Sequence, residues 1–264
     1  MLINPSSTLN NLGGKGYQLS LLNKFCSVPE FFVICFESDN EIVSSTVQEE
    51  IIRTFDFYAF DYVSVRSSAT VEDSAVASFA GMFETKLNVT RDNLINSVKN
   101  VLNSLKNNRV AKYCELNGLN IIDIKMRVIV QRMVDSKVAG VCITKDISNP
   151  DVMIIEACWG LGDALVGGMV APDTYKVNRV NFKIESTKIG HQRKMVVSFN
   201  YEKAIEVPFH LCNSKKLTND KLVELAKMCL FIEKKLNYEI ADIEWAFEKD
   251  KLYVLQARPF VGKL

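Results

Sequence analysis

The 264-residue sequence has no surplus of either charge, no apolar run long enough to span a bilayer, no paired-cysteine motif and only two histidines. Each absence removes a class of function. Lys and Arg number 32 against 31 for Asp and Glu, so no basic field points to nucleic acid and no charged block forms a tail. The apolar stretch Phe31 to Phe36 is far too short to cross a membrane. The N-terminus, MLINPSSTLNN, lacks the positive and apolar regions of a secretory signal. Seven scattered cysteines show neither CxxC nor Cys/His metal spacing, and read as small buried hydrophobes of a reducing compartment. The expectation is a soluble, cytoplasmic protein with no nucleic-acid and no membrane partner. Internal repeats, low-complexity tracts and long linkers are also missing.

What is present is apolar content for a substantial core: hydrophobic residues make up 48% of the chain, enough for one large domain or two lobes. The most informative stretch is Ala241 to Pro259, ADIEWAFEKDKLYVLQARP. Two segments alternate apolar and polar residues, the period of half-buried strands. Ile243, Trp245 and Phe247 share one face; Asp242, Glu244 and Ala246 share the other. In the second strand Tyr253, Leu255 and Ala257 are read together, and Val254, Gln256 and Arg258 together. A three-residue turn, Lys249–Lys251, sets Glu244 opposite Gln256 and Asp242 opposite Arg258. A two-residue turn would set Glu244 across from Leu255 and mix the faces, so the longer turn is expected. Oxygen ligands on rigid strands suit Mg²⁺ beside substrate phosphates, and an Arg next to them suits a phosphate. A solvated amphipathic surface with a weak ion pair reads from the same residues.

Earlier in the chain, Gly13-Gly14-Lys15-Gly16 opens a helical stripe of Leu19, Leu22 and Phe25, a glycine turn able to offer N–H groups and a cation to phosphate. It is not a Walker A loop, and an exposed Lys at a helix start is the plainer reading. Residues 28–36 read as a buried strand and 38–57 as one or two helices. Residues 62–65 are a strand running into Arg66. Residues 67–85 are a Ser/Ala/Thr-rich loop containing Gly81, able either to wrap phosphate oxygens or to be ordinary surface. An amphipathic helix follows at 94–105, with Thr90 or Asp92 near its cap. Strands are expected at 125–134, 138–144 and 152–157. The glycines at 160, 162, 167 and 168 do not match GxGxxG. Looser strands fill 175–207. A second amphipathic helix covers 217–236, with Leu222, Leu225, Ala226, Cys229 and Leu236 on one side. Strands and helices intermingle without a βαβ rhythm, which points to α+β.

Four separated segments together resemble one family: GGKG at 13–16, VSVRSSATVEDSAVASFAGMFET at 63–85, AGVCIT…IIEACWGLGDALVGGMVAPDTY at 139–175, and DIEWAFEKDKLYVLQARP at 242–259. The chain resembles the ATP-binding domain of pyruvate phosphate dikinase, phosphoenolpyruvate synthase and rifampin phosphotransferase. The resemblance implies a two-lobed ATP-grasp fold, here with residues 1–137 as the N-terminal lobe and 138–264 as the C-terminal lobe. It implies ATP and Mg²⁺ as ligands. Lys15 and Arg66 would hold the ATP phosphates, the loop around Gly81 and Thr85 would close over them, and Gln131, Met133 and Val134 would line the adenine. Glu244 and Gln256 would bind Mg²⁺, and Arg258 would contact the transferring phosphates, making Lys15, Arg66 and Arg258 the catalytic group. Asp163 stands where the family usually carries Glu, and the stretch between Lys15 and Arg66 is shorter than in full-length relatives.

In relatives ATP is cleaved to AMP; a mobile histidine of a further domain takes the β-phosphate, and water or phosphate takes the γ-phosphate. Neither His191 nor His210 sits in such a motif. The expectation is a stand-alone ATP-dependent phosphotransferase whose acceptor is a separate phosphohistidine-bearing protein or a small molecule. A non-catalytic nucleotide-binding regulatory subunit and an ATP-grasp ligase are the alternatives.

Overall fold

Two compact units divide the chain: Met1–Lys24 with Pro29–Met133, and Phe25–Val28 with Val134–Leu264. The computed structural model describes residues 2–3, 12–36, 39–70, 82–199 and 204–260. Gly81 and most of the Ser/Ala-rich loop lie outside the described residues.

In the first unit, strands β1 (Leu2–Ile3), β2 (Phe31–Cys35), β3 (Val63–Ala69), β4 (Thr85–Val89) and β5 (Met126–Arg132) form one sheet in the order β1-β2-β5-β3-β4. The unbroken apolar run of β2 is buried at every position, as a strand covered on both faces requires. Helices α2 (Ser45–Phe57), α3 (Leu94–Asn103) and α4 (Asn108–Leu116) cover one face. Ile51, Phe55, Leu94, Val98, Val101, Val110 and Cys114 pack there against Phe32, Ile34, Val65, Val128 and Val130. The i, i+3, i+4 stripe of α3 is thus core, as its period demands. Its N-cap residue is Asn93, next to Asp92, and Thr90 precedes the 3-10 turn that leads into the helix, without a side-chain cap bond.

Helix α1 (Gly13–Leu22) packs on β3 and β5 with Leu19 and Leu22 buried. Gly13 starts it at φ +72, and a Cβ there would lie 2.1 Å from the Ser68 carbonyl oxygen, so only glycine permits this approach. Phe25 does not continue the stripe. It belongs to the second unit, edge-on to Phe231 at 5.7 Å.

The second unit is built on a six-stranded antiparallel sheet, order β13-β12-β6-β7-β8-β9. Its strands are β6 (Val138–Ile143), β7 (Val152–Trp159), β8 (Asp173–Asn178), β9 (Ile184–Lys188), β12 (Ala241–Glu248) and β13 (Lys251–Pro259). Two short strands, β10 (Lys194–Met195) and β11 (Ile205–Glu206), pair separately, and α5 (Asp163–Val166) follows β7. Helix α6 (Asn219–Leu236) closes one face with Leu222, Leu225, Ala226, Cys229 and Ile232. Ile232, not Leu236, completes that stripe. Cys229 lies against Cys142 of β6, which fixes the covered face as the one carrying Ile243, Cys142 and Trp245. Gly140 allows the Trp245 ring over the sheet: a Cβ there would meet the ring at 2.8 Å and the Glu156 carbonyl oxygen at 1.9 Å. All seven cysteines are free thiols and six are buried, in keeping with their reading as small hydrophobes. Among the described residues no helix is long and apolar enough to cross a membrane.

The α+β expectation is met. Most expected elements stand where the pattern placed them; β4 and α4 were not anticipated, and Ser67–Ala69 extends β3 rather than opening the loop.

Candidate functional site

The second sheet's other face is open. Along β6, β7, β8 and β12 every half-buried residue up to Ala246 falls on it, including Val141, Ile143, Ile154, Glu156, Thr174, Lys176, Asp242 and Glu244. The closing hairpin supplies its polar end. Glu244 pairs with Gln256 and Asp242 with Arg258, the two pairs expected from alternation. Arg258 donates through Nε and one terminal nitrogen to Asp242 Oδ2, at 2.9 and 2.8 Å. Two donors on one carboxylate oxygen hold the guanidinium in place beside Glu244 and Gln256.

The turn itself differs from expectation. It has two residues, Lys249 and Asp250, with Lys249 at φ 54. The register then shifts by one between Glu244 and Trp245, leaving Leu255 as the extra residue of a β-bulge. The bulge restores the expected pairs at the chemical end and reverses the faces nearer the turn. Val254 lies opposite Trp245 in the core and Tyr253 opposite Ala246 on the open face. Val134, Ala139, Ala246 and Tyr253, with Leu255 against them, form an apolar patch next to the Glu244–Gln256 pair. The open face thus runs from apolar groups, through the side chains of Glu244 and Gln256, to an anchored arginine.

In the first unit the expected residues fall on the face that carries α1. Arg66 pairs across strands with Thr85 and with Ile129, and Ser64 with Gln131. Arg66 donates to Gln131 Oε1 at 3.4 Å, and Gln131, only 2% exposed, donates to the Pro29 carbonyl at 3.5 Å. Lys15, in the first turn of α1, reaches Ser67 Oγ at 3.5 Å. Ser68 Oγ accepts from the Gly16 amide at 2.9 Å and donates to the Leu12 carbonyl at 2.8 Å, pinning the start of the helix to β3. Lys15, Arg66, Thr85 and Gln131 are therefore neighbours within this unit. Met133 is buried, its amide bonded to the Tyr62 carbonyl. Val134 belongs to the second unit's apolar patch.

A model of the family described as "Pyruvate phosphate dikinase, AMP/ATP-binding domain" matches residues 40–263. The chain belongs to this pyruvate phosphate dikinase ATP-binding family. With membership established, its α+β fold is the ATP-grasp fold that the resemblance implied. The matched span contains Arg66, Glu244, Gln256 and Arg258 but begins after Lys15. Relatives include a probable phosphoenolpyruvate synthase of Methanocaldococcus jannaschii, 40% identical over 75% of this chain and 17% of its own length. One of Archaeoglobus fulgidus is 40% identical over 75% of this chain and 27% of its own. A Bacillus subtilis protein named "Uncharacterized phosphotransferase YvkC" is 32% identical over 94% of this chain and 33% of its own. The chain thus spans a third or less of these relatives. Among solved structures, a Bacillus anthracis D-alanine–D-alanine ligase complexed with ATP superposes with a TM-score of 0.43 at 11% identity, covering 92% of this chain and 54% of that one.

For an ATP-binding family member the donor set on the hairpin is chemically apt. Among the described residues no three His, Cys, Asp or Glu side chains gather to hold a metal unaided. One carboxylate and one amide oxygen suit a hard cation that completes its shell with phosphate oxygens and water.

Sequence reading overlooked Glu156 on β7. It stands in register with Val141 and, beyond it, Glu244; Thr174 and then Lys188 stand on its other side. Lys176, one row away, is paired with Asp146 at 2.8 Å. Burial raises the Glu156 carboxyl above its usual 4.5. The folded state therefore holds this proton more tightly than the unfolded chain does, and stability is lost as pH rises past the unfolded value. Glu156→Gln is expected to melt higher than wild type at pH 7.5, with the difference shrinking as pH falls towards 4. Melting curves across that range check it; a constant difference would contradict it.

Proposed function

We propose that this chain binds Mg-ATP and transfers a phosphoryl group from it to an acceptor histidine or a small acceptor. The observation that carries the reading is the open face of the β12–β13 hairpin, where Glu244 and Gln256 lie beside an Asp242-anchored Arg258. Phosphoryl transfer asks little of a protein beyond positioning, metal and positive charge, so the want of a nucleophile is no objection. In this reading Glu244 and Gln256 take the Mg²⁺, Arg258 the transferring phosphate, and the patch at Val134, Ala139 and Tyr253 one side of the adenine. The same reading gives Lys15, Arg66 and Thr85 to the phosphates, with Gln131 and Met133 on the base. A relative named a phosphotransferase and a family described as AMP/ATP-binding support the reaction class.

His191 is a poor relay. Its Nε2 accepts from Arg193 Nε at 2.9 Å while Nδ1 donates to Asn213 Oδ1 at 2.7 Å, so both ring nitrogens are occupied. That supports an acceptor other than His191.

The test is calorimetry with ATP and with adenosine, followed by product identification after incubation with Mg²⁺ and ATP, with and without candidate acceptors. AMP is the expected nucleotide product if the acceptor takes the β-phosphoryl group and water or phosphate takes the γ-phosphoryl group; ADP is expected if the γ-phosphoryl group alone is transferred. Lys15→Ala should weaken ATP binding by about tenfold or more while adenosine binding stays unchanged, and Arg66→Ala, which also removes the contact to Gln131, should weaken ATP binding at least as much and more than it weakens adenosine binding. Unchanged ATP affinity in both variants would make these residues ordinary surface cations and remove the reading.

A further inference from the structure

One carboxylate on the open face is used by neither the metal pair nor the phosphate arginine. Glu156 is half-buried and, among the described residues, its carboxylate makes no hydrogen bond or ion pair. Its cross-strand neighbours are Val141 and Thr174, and Ile154 flanks it along β7. Glu244 lies two strands away, about 10 Å at the usual strand spacing. Val141 stands between the two carboxylates, so they do not serve one ion. A half-buried carboxylate without a partner is costly unless something arrives to donate to it.

A triphosphate is no such partner, since like charges repel. The donor must come from an uncharged part of the ligand. In a nucleotide the vicinal hydroxyl donors are on the ribose, between base and phosphates. The open face has the matching order: apolar patch, oxygen ligands, then arginine, with Glu156 beside that line and level with the oxygen ligands. A carboxylate accepts at both oxygens and so suits a diol.

We propose that Glu156 accepts hydrogen bonds from the 2′- and 3′-hydroxyls of the bound nucleotide and so selects ribonucleotides over deoxynucleotides. This rests on the reading of the open face as the Mg-ATP site.

The test uses the full chain with Mg²⁺ and compares ATP with 2′,3′-dideoxy-ATP by calorimetry, for wild type, Glu156→Ala and Glu156→Gln. Wild type should bind ATP about tenfold or more tightly than the dideoxy analogue, the ordinary worth of hydrogen bonds to a charged acceptor. Glu156→Ala should lose about that factor for ATP and change less than about twofold for the analogue, so that the preference disappears. Glu156→Gln, which keeps one acceptor oxygen and the side-chain volume, should retain part of the preference. Equal weakening of both nucleotides, or no weakening of either, would overturn the proposal. So would a fall in kcat with affinities intact, which would place Glu156 at the phosphoryl acceptor. If wild type bound neither nucleotide, the Mg-ATP reading itself would fall. If it bound both equally, only the ribose assignment would.

Discussion

Lys216→Met is expected to cost about 3–5 kcal/mol of folding stability, the loss seen when one partner of a buried ion pair is removed. Lys216 and Asp173 are both completely buried, with Nζ 2.8 Å from Asp173 Oδ1 and 2.8 Å from the Gly190 carbonyl. The carboxylate is saturated by further donors. Oδ1 accepts from the Gly190 amide at 2.9 Å, and Oδ2 from the Lys216 amide at 2.9 Å and the Tyr175 hydroxyl at 2.6 Å. Burial, with the Asp173 hydrogen bond behind it, pushes the Tyr175 hydroxyl well above its usual value, so it stays a donor at every working pH. Without the ammonium, a buried negative charge would be left with neutral donors alone. Urea unfolding should show a lower midpoint with an unchanged slope. The double variant Asp173→Asn, Lys216→Met should recover part of the loss, because deleting both charges leaves neither one stranded. A single-variant cost below about 1 kcal/mol would mean that water reaches the site and replaces the pair. The network also serves the functional face indirectly. It ties β8 to the segment entering α6, whose Leu217 amide donates to the Tyr175 hydroxyl at 3.3 Å, and α6 backs the strand that carries Glu244.

The hairpin shows how far a sequence can be read and where it stops. Asp242, Glu244, Gln256 and Arg258 are polar at alternate positions, and only one register puts them together, so their pairing was legible. The bulge was not. Tyr253 and Leu255 tolerate either face, so a period-two pattern accommodates a one-residue insertion without visible conflict; the three-residue turn absorbed the discrepancy instead. Helix α4 escaped notice because it buries only Val110 and Cys114, too thin a stripe to stand out. Glu156 was overlooked although β7 carries its own signal, a carboxylate amid Val152, Ile154, Ile155 and Ala157. A charged residue inside so apolar a strand has either a hidden partner or a ligand. The Arg66–Gln131 contact, between residues 65 apart in sequence, follows from β3 lying against β5, and no local pattern announces it.

Glu244→Gln is expected to lower Mg²⁺-dependent phosphoryl transfer by about a hundredfold or more while leaving the fold intact. The fold should survive because Glu244 is not a core residue. It is half-buried on the open face of β12, between Gln256 on one side and Val141 on the other. The substitution keeps the side chain's length and volume, and its neighbours Ile243 and Trp245 remain packed on the opposite, sealed face. What changes is charge. Gln256 is neutral, and Asp242 is committed to Arg258 through two hydrogen bonds, so Glu244 supplies the negative charge of the metal pair. Mg²⁺ gives up its water reluctantly and needs that charge to sit at one position on the strand while phosphates complete its shell. The loss should therefore appear as a raised Mg²⁺ requirement, partly relieved by high Mg²⁺, with adenosine binding unchanged. Glu248→Gln is the control on the same strand. That carboxylate accepts the Asp135 amide at 2.8 Å near the turn, away from the Gln256 pairing, and its loss should leave the Mg²⁺ dependence unaltered. Wild-type Mg²⁺ dependence in the Glu244 variant would break the metal assignment, since no other pair on the hairpin offers the cation one charged and one neutral oxygen side by side.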